Sequence, residues 1–312
     1  MKKRILGNTG IQISEIGYGC AALWGKDVLG KQGVTEEQAY TLFETAFNHG
    51  INFFDTGINY GYAEERLGRC LKTIISNGIA NREDFIIETK FGETINSDGT
   101  YGASDWSPDW VKKSVEISLN RLGLDYIDLF AMHGGSPEYC TDGFLNTLQD
   151  LKDQGIIRAF GVNTFDNSFI DWINKECCFD YVMLDYNIMK QSRETTIEAL
   201  TSNGIGVLAG ASLGQALFAK NIFKIKNRND LWYLLRTLAH FRGSMKKSKD
   251  FRFLTEQKDF TGNQLALRYV LDNDNITAAV FNTTSVEHLV DNLKATEIVM
   301  PDEIRKKIKQ RA

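Results

Sequence analysis

Short, nearly continuous apolar runs alternate along the chain with longer runs in which apolar residues recur every three or four positions. The short runs are typical of strands buried on both faces of a parallel sheet, and the longer period is typical of amphipathic helices. We predict eight such strands, which read IGYGC, INFFD, DFIIETK, YIDLFAMH, IIRAFGVN, YVMLDYN, GVLAG and TAAVF. Eight parallel strands that alternate with helices predict an α/β fold, the (β/α)8 TIM barrel.

Capping and turn signals predict where several of these elements begin. Thr35 opens a capping box that Gln38 completes, and Ser107 and Ser285 are predicted N-caps of two further helices. Pro301 is predicted to start a C-terminal tail helix. Before the first barrel strand, KRIL and IQIS flank the turn sequence GNTG, which predicts an N-terminal β-hairpin.

An open, doubly wound sheet is the competing architecture. No GxGxxG follows the first strand, so the sequence does not support a Rossmann nucleotide site. A length of 312 residues is normal for one barrel, and no linker or repeat divides the chain. We therefore predict one barrel domain over 1–312. Two long segments interrupt the alternation: a predicted polar loop after the third strand, 91–107, and a charged and aromatic segment, 214–259.

Composition and charge exclude several classes of function. The net charge of -4 argues against a nucleic-acid partner, since no strong basic field is available to hold a polyanion. No apolar run is long enough to span a membrane, and MKKRILGNTG lacks the apolar core of a secretion signal. Five cysteines without a CxxC pair and four scattered histidines argue against disulfides and a metal site. We expect a cytoplasmic protein without a metal.

Four side chains that can exchange or orient protons lie at or just after the ends of three consecutive predicted strands. Asp55 ends the second strand and is followed by Tyr60, Lys90 ends the third strand, and His133 ends the fourth. Each residue alone has an ordinary structural explanation. Function in α/β barrels lies at the carboxyl ends of the strands, and buried charge is costly unless it is paired. Together these residues therefore predict an active site.

This set suits the reduction of a carbonyl group. Hydride addition to carbon places negative charge on oxygen, so a proton donor must stand beside that oxygen. The ordinary pKa of tyrosine, about 10, is high for this task, and a neighbouring ammonium lowers it. We expect Lys90 to do this for Tyr60, while Asp55 keeps Lys90 charged. His133 is expected to bond the substrate oxygen, and in the oxidation direction Tyr60 becomes the base.

The segments that contain these residues resemble the aldo-keto reductase family. The motifs FDTxxxYGxxExxLG, at 54–68, and SLxRLxxDYIDLxxxH, at 118–133, are specific, and the resemblance extends over essentially the whole chain. It implies the same barrel and an NAD(P)-dependent hydride transfer between nicotinamide and an aldehyde, ketone or sugar. By this resemblance the family's catalytic tetrad is Asp55, Tyr60, Lys90 and His133.

The resemblance also implies cofactor-binding residues after the first, fifth, seventh and eighth strands. These residues are Gly19, Cys20, Asn163, Thr164, Gly210, Ala211, Leu213, Asn282, Thr283, Thr284, His288 and Asn292. Some positions depart from the family pattern. Asn163 and Thr164 replace a Ser-Asn pair, and Met183 replaces a glutamine. Gly210 stands where a larger side chain often contacts the nicotinamide ring.

Two positions after the eighth strand bear on the choice between NAD and NADP. Asn282 and His288 stand where NADP-dependent members often place Lys and Arg for the 2′-phosphate, so two permanent charges are missing. Hydroxyls and helix N-terminal amides near Thr284 still suit phosphate. We expect NAD, or dual use, rather than strict NADP. Basic residues of the long segment could bind phosphate instead, although a solvated charged face is the simpler interpretation of Lys220, Lys224, Lys226 and Arg228.

The stretch GVLAGASLGQALF resembles the sugar-dehydrogenase branch, such as L-galactose and L-fucose dehydrogenases. Trp24, Trp106 and Trp110 are candidates to stack on a sugar ring, with helix packing as the alternative for Trp110. The expected partner is a small carbonyl or alcohol substrate. Two other functions stay open: a cofactor-binding regulatory protein with vestigial redox activity, and a lyase, dehydratase or epimerase that uses the same acid–base groups.

Overall fold

A closed barrel of eight parallel strands forms the centre of the computed structural model, which describes residues 1–23, 34–96, 100–214 and 247–311. The strands in chain order are β1 (Lys3–Ile5), β2 (Gln12–Ser14), β3 (Ile16–Gly19), β4 (Phe53–Asp55), β5 (Ile86–Phe91), β6 (Glu93–Ile95), β7 (Tyr101–Ser104), β8 (Ile127–His133), β9 (Ile157–Asn163), β10 (Tyr181–Asp185), β11 (Gly206–Gly210) and β12 (Ala278–Phe281). The order around the barrel is β3-β4-β5-β8-β9-β10-β11-β12, closing on β3. The predicted fold class is confirmed.

Helices follow the barrel strands and cover the outside of the barrel. They are α1 (Glu36–Asn48), α2 (Ala63–Ser76), α3 (Pro108–Leu122), α4 (Asp142–Asp153), α5 (Asn167–Glu176), α6 (Glu194–Ser202), α7 (Gly262–Leu271), α8 (Val286–Leu293) and α9 (Asp302–Lys309). The capping box at Thr35 is present, and the side chains of Ser107 and Ser285 accept backbone hydrogen bonds as predicted. The tail helix α9 follows Pro301.

The N-terminal hairpin closes one end of the barrel. Strands β1 and β2 pair antiparallel, which confirms the predicted hairpin. Leu6, Ile11 and Ile13 join the apolar cluster inside the barrel, next to residues from the amino-terminal parts of the barrel strands such as Phe53 and Ile86. Because this end is filled by side chains, the carboxyl ends of the strands form the open mouth.

The prediction of a polar loop over 91–107 is wrong in part. Strands β6 and β7 form an antiparallel ladder in which Glu93 pairs with Ser104 and Ile95 with Tyr101. Residues 97–99 lie outside the described part of the chain. Backbone hydrogen bonds hold this hairpin together, and such bonds leave no pattern in the side chains. Neither of its strands has the apolar side that would reveal a half-buried strand in the sequence.

The second long segment lies mostly outside the described residues, which exclude 215–246. The candidate phosphate contacts Lys220, Lys224, Lys226 and Arg228 fall there, and Trp24 falls in another such range, 24–33. The described end of the segment forms a 3-10 helix, Lys249–Glu256, in which Phe251 and Leu254 are buried.

Asp128 connects three neighbouring parts of the barrel wall. This carboxylate on β8 is fully buried. Its Oδ2 accepts hydrogen bonds from Arg82 (2.7 Å) and from the backbone amide of Ile87 on β5 (2.9 Å), and its Oδ1 accepts one from Arg158 on β9 (2.6 Å). The carboxylate therefore holds β5, β8 and β9 together at the outer surface of the barrel.

We predict that Asp128→Ala lowers the free energy of unfolding by roughly 3 kcal/mol, because it leaves two arginines and a buried amide without their acceptor. Chemical denaturation followed by circular dichroism measures this loss. The control is Asp125→Ala, an exposed residue in the preceding turn, for which the expected change is within about 0.5 kcal/mol. Equal effects of the two substitutions would contradict the role given to Asp128.

Candidate active site

The structure brings all four residues of the predicted tetrad together at the mouth of the barrel. Asp55 is the last residue of β4, His133 is the last residue of β8, and Lys90 lies one residue before the end of β5. These three strands are neighbours in the barrel. Tyr60 lies in the loop between β4 and α2, directly above them.

Lys90 is a charged side chain almost completely withdrawn from solvent, with 1% of its surface exposed. Its Nζ donates hydrogen bonds to Asp55 Oδ1 and to the carbonyl oxygen of Thr56, the latter at 2.8 Å. Burial opposes the charge on Lys90, but Asp55, Tyr60 and a further buried carboxyl, Glu88, together raise the pKa of Lys90 above its ordinary value. The ammonium is therefore charged at neutral pH.

Tyr60 lies between a cation and an imidazole. The Nζ of Lys90 is 5.2 Å from the centroid of the Tyr60 ring, and the rings of Tyr60 and His133 meet edge to face, with centroids 6.0 Å apart. The edge-to-face arrangement is a favoured one for two aromatic rings and contributes to the orientation of the Tyr60 ring. The loop itself is held by Arg121, which donates to the carbonyl oxygen of Ile58 and pairs with the buried Glu64, both at 3.0 Å.

The expectation that Tyr60 is more acidic than an ordinary tyrosine is wrong for this structure. Burial raises the pKa of the phenol above its usual value, and this effect exceeds the lowering by the charge and hydrogen bond of Lys90. The carboxylates Asp55 and Glu88 add to the increase. Lys90 acts in the predicted direction but does not overcome desolvation.

His133 is neutral at pH 7, because burial and the charge of Lys90 lower the pKa of its imidazole to about 4. Its Nδ1 lies 3.4 Å from Nδ2 of Asn59, which has no lone pair to offer and can only donate. A neutral imidazole whose Nδ1 accepts carries its proton on Nε2. His133 can therefore donate a hydrogen bond from Nε2.

Several site residues escaped the sequence analysis. Asn59 directly precedes Tyr60, and Glu93 on β6 places Oε2 3.9 Å from Nδ1 of His133. Glu88 lies two residues before Lys90 on β5, is fully buried, and accepts a hydrogen bond from the hydroxyl of Tyr181 at 3.0 Å. The sequence did indicate the position of Glu88, because alternate residues of a strand share a face and Glu88 lies two residues before Lys90.

The predicted cofactor residues flank the tetrad on both sides around the mouth. Gly19 at the end of β3 pairs in register with Asp55, and Asn163 at the end of β9 pairs with His133. Cys20 follows Gly19 and is fully buried. The remaining residues lie at the end of β11, in the segments that follow β9, β11 and β12, or on α8: Thr164, Gly210, Ala211, Leu213, Asn282, Thr283, Thr284, His288 and Asn292.

The predicted cofactor residues differ in what they can offer a nucleotide. Asn163 is half-buried, and its amide can both donate to and accept from a carboxamide such as that of nicotinamide. Gly210 lies against Met183, where an added Cβ would be 3.3 Å from Met183 Cγ. Ala211 opens the following loop with a positive φ of 49°. Asn292 is buried near the end of α8. The donor set fits a nicotinamide amide, while Met183 and Gly210 offer it no side-chain hydrogen bond.

The start of α8 offers hydroxyls and amides but no cation. Asn282, Thr284 and His288 are exposed there, and the Thr283 hydroxyl accepts from the amide of Ser285 at 3.1 Å. The range 281–293 contains no Lys or Arg, and it places the acidic Glu287 in the first turn.

Two of the tryptophans considered for sugar stacking are largely buried. Trp106 packs edge-on against Phe91 and lies 6.0 Å from the Tyr139 ring, with 8% of its surface exposed. Trp110 is 6% exposed on α3. Helix packing is thus the better interpretation of Trp110, while Tyr139, which is 44% exposed, offers an open ring beside Trp106.

A cleft of about 470 Å³ lies apart from the tetrad, at the N-terminal ends of α5 and α6. Its described lining includes Asn167, Asp171, Lys190, Arg193 and Lys247. Lys190 and Arg193 both pair with the buried carboxylate of Asp185, which neutralises part of the positive charge. The cleft therefore adds no group to the proton-transferring site.

Two further findings concern the described residues as a whole. Within 1–23, 34–96, 100–214 and 247–311, no group of three or more His, Cys, Asp or Glu side chains could hold a metal ion. None of the helices described in these ranges is both long and apolar enough to cross a bilayer.

Comparison with known proteins identifies the family. The model of the Aldo/keto reductase family matches residues 15–311. L-galactose dehydrogenase from Arabidopsis thaliana is 28% identical over 302 residues, which cover 94% of this chain and 87% of that protein. NADH-specific methylglyoxal reductase from Escherichia coli (strain K12) is 27% identical over 321 residues, covering 97% of this chain and 95% of that protein.

A solved structure agrees with this result. The holo form of aldo-keto reductase AKR11C1 from Bacillus halodurans superposes with a TM-score of 0.79 and 26% sequence identity, covering 100% of this chain and 96% of that one. Three findings therefore indicate the same family: the closed parallel barrel, the family match over nearly the full chain and these oxidoreductase relatives. The chain belongs to the aldo/keto reductase family and is an oxidoreductase of the kind that acts on carbonyl groups.

Proposed function

We propose that the protein transfers a hydride between NAD(P)(H) and a small carbonyl or sugar substrate, with Tyr60 as the general acid and base. One observation carries this proposal: the Tyr60 phenol is held at the mouth of the barrel between the buried ammonium of Lys90 and the neutral imidazole of His133. A phenol in this position can give a proton to a substrate oxygen, and the adjacent cation stabilises the phenolate that remains.

Each residue of the tetrad has a distinct task in the reduction direction. Tyr60 donates its proton to the substrate oxygen, while His133 donates a hydrogen bond from Nε2 to the same oxygen. Asp55 holds Lys90 charged and in place. The nicotinamide, when bound, supplies the hydride. The raised pKa of Tyr60 keeps the phenol protonated at neutral pH, which suits an acid in reduction; oxidation requires the phenolate and is favoured at higher pH.

We infer that the nucleotide lies along the arc formed by the ends of β9, β11, β12 and β3. Asn163 would hold the nicotinamide amide, and the hydroxyls and amides at the start of α8 would hold the adenosine end. The absence of Lys and Arg from 281–293 favours NAD, or dual use, over strict NADP. The NADH-specific relative in Escherichia coli supports the same preference.

The substrate class follows from the relatives and from the mouth of the barrel. One relative is named for L-galactose and another for methylglyoxal, both small polar molecules. Around the tetrad of this chain, Asn59 and Glu93 offer polar atoms and Tyr139 offers an exposed ring. A sugar or a small hydroxylated or dicarbonyl compound fits this lining better than a large apolar molecule.

We predict that Tyr60→Phe lowers turnover by about two to four orders of magnitude, because it removes the proton donor and leaves the ring in place. Turnover is followed by nicotinamide absorbance with aldehydes and sugars, and nucleotide affinity by fluorescence quenching. The affinity is expected to stay within about twofold of wild type. Tyr40→Phe on α1, whose hydroxyl bonds Glu44, is the matched control and keeps full turnover. Unchanged turnover in Tyr60→Phe would contradict the assignment.

The same assay distinguishes the other two functions. Wild-type protein that binds NADH or NADPH but reduces or oxidises every tested substrate only at a trace rate would favour the cofactor-binding regulatory protein. Nucleotide binding without redox turnover of any substrate in either direction would favour a lyase, dehydratase or epimerase that uses the tetrad as acid and base.

We predict that His288→Arg tightens the binding of NADPH about tenfold, because it supplies a permanent cation beside the first turn of α8, where the 2′-phosphate is expected. NADH affinity should change by less than about twofold. Fluorescence titration with both nucleotides measures the effect, and His49→Arg, at the C-terminal end of α1, is the control. An equal gain for both nucleotides, or none, would place the adenosine end elsewhere.

A further inference from the structure

A second carboxyl group lies directly below the Asp55–Lys90 pair inside the barrel. Glu88 is fully buried in the middle of β5, two residues before Lys90, so both side chains point into the barrel. In the ladder between β4 and β5, Glu88 is the register partner of Asp55. Two carboxyls and one ammonium therefore share a volume that excludes solvent.

The two oxygens of Glu88 have different surroundings. Oε1 accepts a hydrogen bond from the hydroxyl of Tyr181 at 3.0 Å. Oε2 is buried, and no donor reaches it from the described residues. A buried carboxylate oxygen without a donor is costly, and adding a proton to it converts it into a donor. The acceptor available to this proton is the Asp55 carboxylate, which lies opposite Glu88 in the ladder between β4 and β5.

The packing around β9 allows the Tyr181 hydroxyl to reach the Glu88 carboxyl. Tyr181 starts β10, which is separated from β5 by β8 and β9. Its ring leans across β9 at Gly161, where an added Cβ would lie 2.5 Å from Cε1 of the tyrosine. The absence of a side chain at Gly161 thus lets a phenol from the far side of the barrel reach Glu88. Ordinary packing does not require such a polar contact in an apolar interior.

We propose that Glu88 carries a proton at neutral pH and donates it in a hydrogen bond to Asp55, which makes Glu88 a positioning residue that sets the charge beneath Tyr60. With Glu88 neutral, the charges of Asp55 and Lys90 balance, and the ammonium can stabilise a phenolate at Tyr60. With Glu88 ionised, the buried group has a net negative charge that opposes the phenolate. The inference rests on the proposed role of Tyr60.

Charge and burial act on Glu88 in this direction. Burial raises the pKa of Glu88 to about 8, and Asp55 adds to the increase, while Lys90 and the Tyr181 hydrogen bond oppose it. The titratable groups that face Glu88 are Asp55 on β4, Lys90 on its own strand, Tyr181 on β10 and Tyr60 above them. Loss of the proton in the mildly alkaline range is therefore expected to slow reduction before Tyr60 itself ionises.

The first experiment measures reductive turnover between about pH 6 and about pH 10 in wild type and Glu88→Gln. A glutamine can accept from Tyr181 and donate to Asp55, as the protonated carboxyl does, but cannot ionise. We expect turnover within about threefold of wild type at neutral pH and loss of the alkaline decline near pH 8. A purely structural role would lower turnover equally at every pH. Identical profiles in the two proteins would overturn the proposal.

Tyr181→Phe is a second test of Glu88, because it shifts the pKa of this carboxyl instead of removing its titration. It keeps the ring over Gly161 but removes the hydrogen bond that favours the ionised form of Glu88. The alkaline decline should move to higher pH by about half a unit or more, with neutral turnover kept. A shift to lower pH, or no shift, would contradict the proposed proton on Glu88. Tyr40→Phe again controls for the loss of a hydroxyl.

Infrared difference spectroscopy tests the proton itself, without any need for turnover. Wild type titrated through about pH 8 should lose the carbonyl stretching band of a buried carboxylic acid, and Glu88→Gln should lack that change. Absence of the band from wild type at neutral pH would overturn the inference. If the band titrates as expected but no substrate is reduced, the buried acid stands and the proposed redox function fails instead.

Discussion

The structure depends on keeping one ammonium charged inside a barrel that excludes water. Lys90 is almost fully buried, and an unpaired cation there would cost several kcal/mol. Asp55 and the carbonyl of Thr56 offset that cost by direct hydrogen bonds. The surrounding elements serve this arrangement. Strands β4 and β5 are neighbours in the barrel and bring Asp55 and Lys90 into contact, and the hairpin at the opposite end keeps the interior closed to solvent.

The same burial explains why the pKa of Tyr60 is raised rather than lowered. Desolvation penalises a phenolate more strongly than one neighbouring ammonium favours it. In the proposed reduction, the phenol keeps its proton until charge develops on a substrate oxygen within reach. On this proposal Lys90 contributes most when the phenolate forms, which is the point at which stabilisation lowers a barrier. A neutral His133 fits this scheme, since it donates a hydrogen bond without adding a second cation.

Much of the fold and the tetrad could be predicted from the sequence, because both follow from local patterns. Asp55, Lys90 and His133 were visible as polar residues at or near the ends of apolar runs, and the barrel architecture implied that such residues meet. Glu88 was equally visible in ETK. The role of a single carboxyl within an apolar run, however, cannot be inferred until its neighbours on β4 and β10 are known. The pKa of Tyr60 was out of reach for the same reason, since desolvation is the sum of contacts from several strands.

The hairpin of β6 and β7 shows the other limit of sequence patterns. Its two strands are held by backbone hydrogen bonds, and their side chains are mostly polar, so no alternation reveals them. Yet this hairpin brings Glu93 to within 3.9 Å of His133 and thereby forms part of the lining around the tetrad. Segments outside the core, such as this hairpin, are the least constrained by it, and they are correspondingly the hardest to predict from periodicity.

The exposed start of α8 lies outside the hydrogen-bonded barrel, whereas three of the tetrad residues, Asp55, Lys90 and His133, belong to its ladders. Substitutions at Asn282 or His288 touch few neighbours, and exposed positions of this kind usually tolerate change at a cost within about 0.5 kcal/mol. With the nucleotide bound as we propose, a descendant of this protein could therefore exchange one nucleotide for another by drift at a handful of surface codons, while its chemistry stayed fixed. Coenzyme choice and catalytic power would then be separable traits in this scaffold, free to evolve at different speeds.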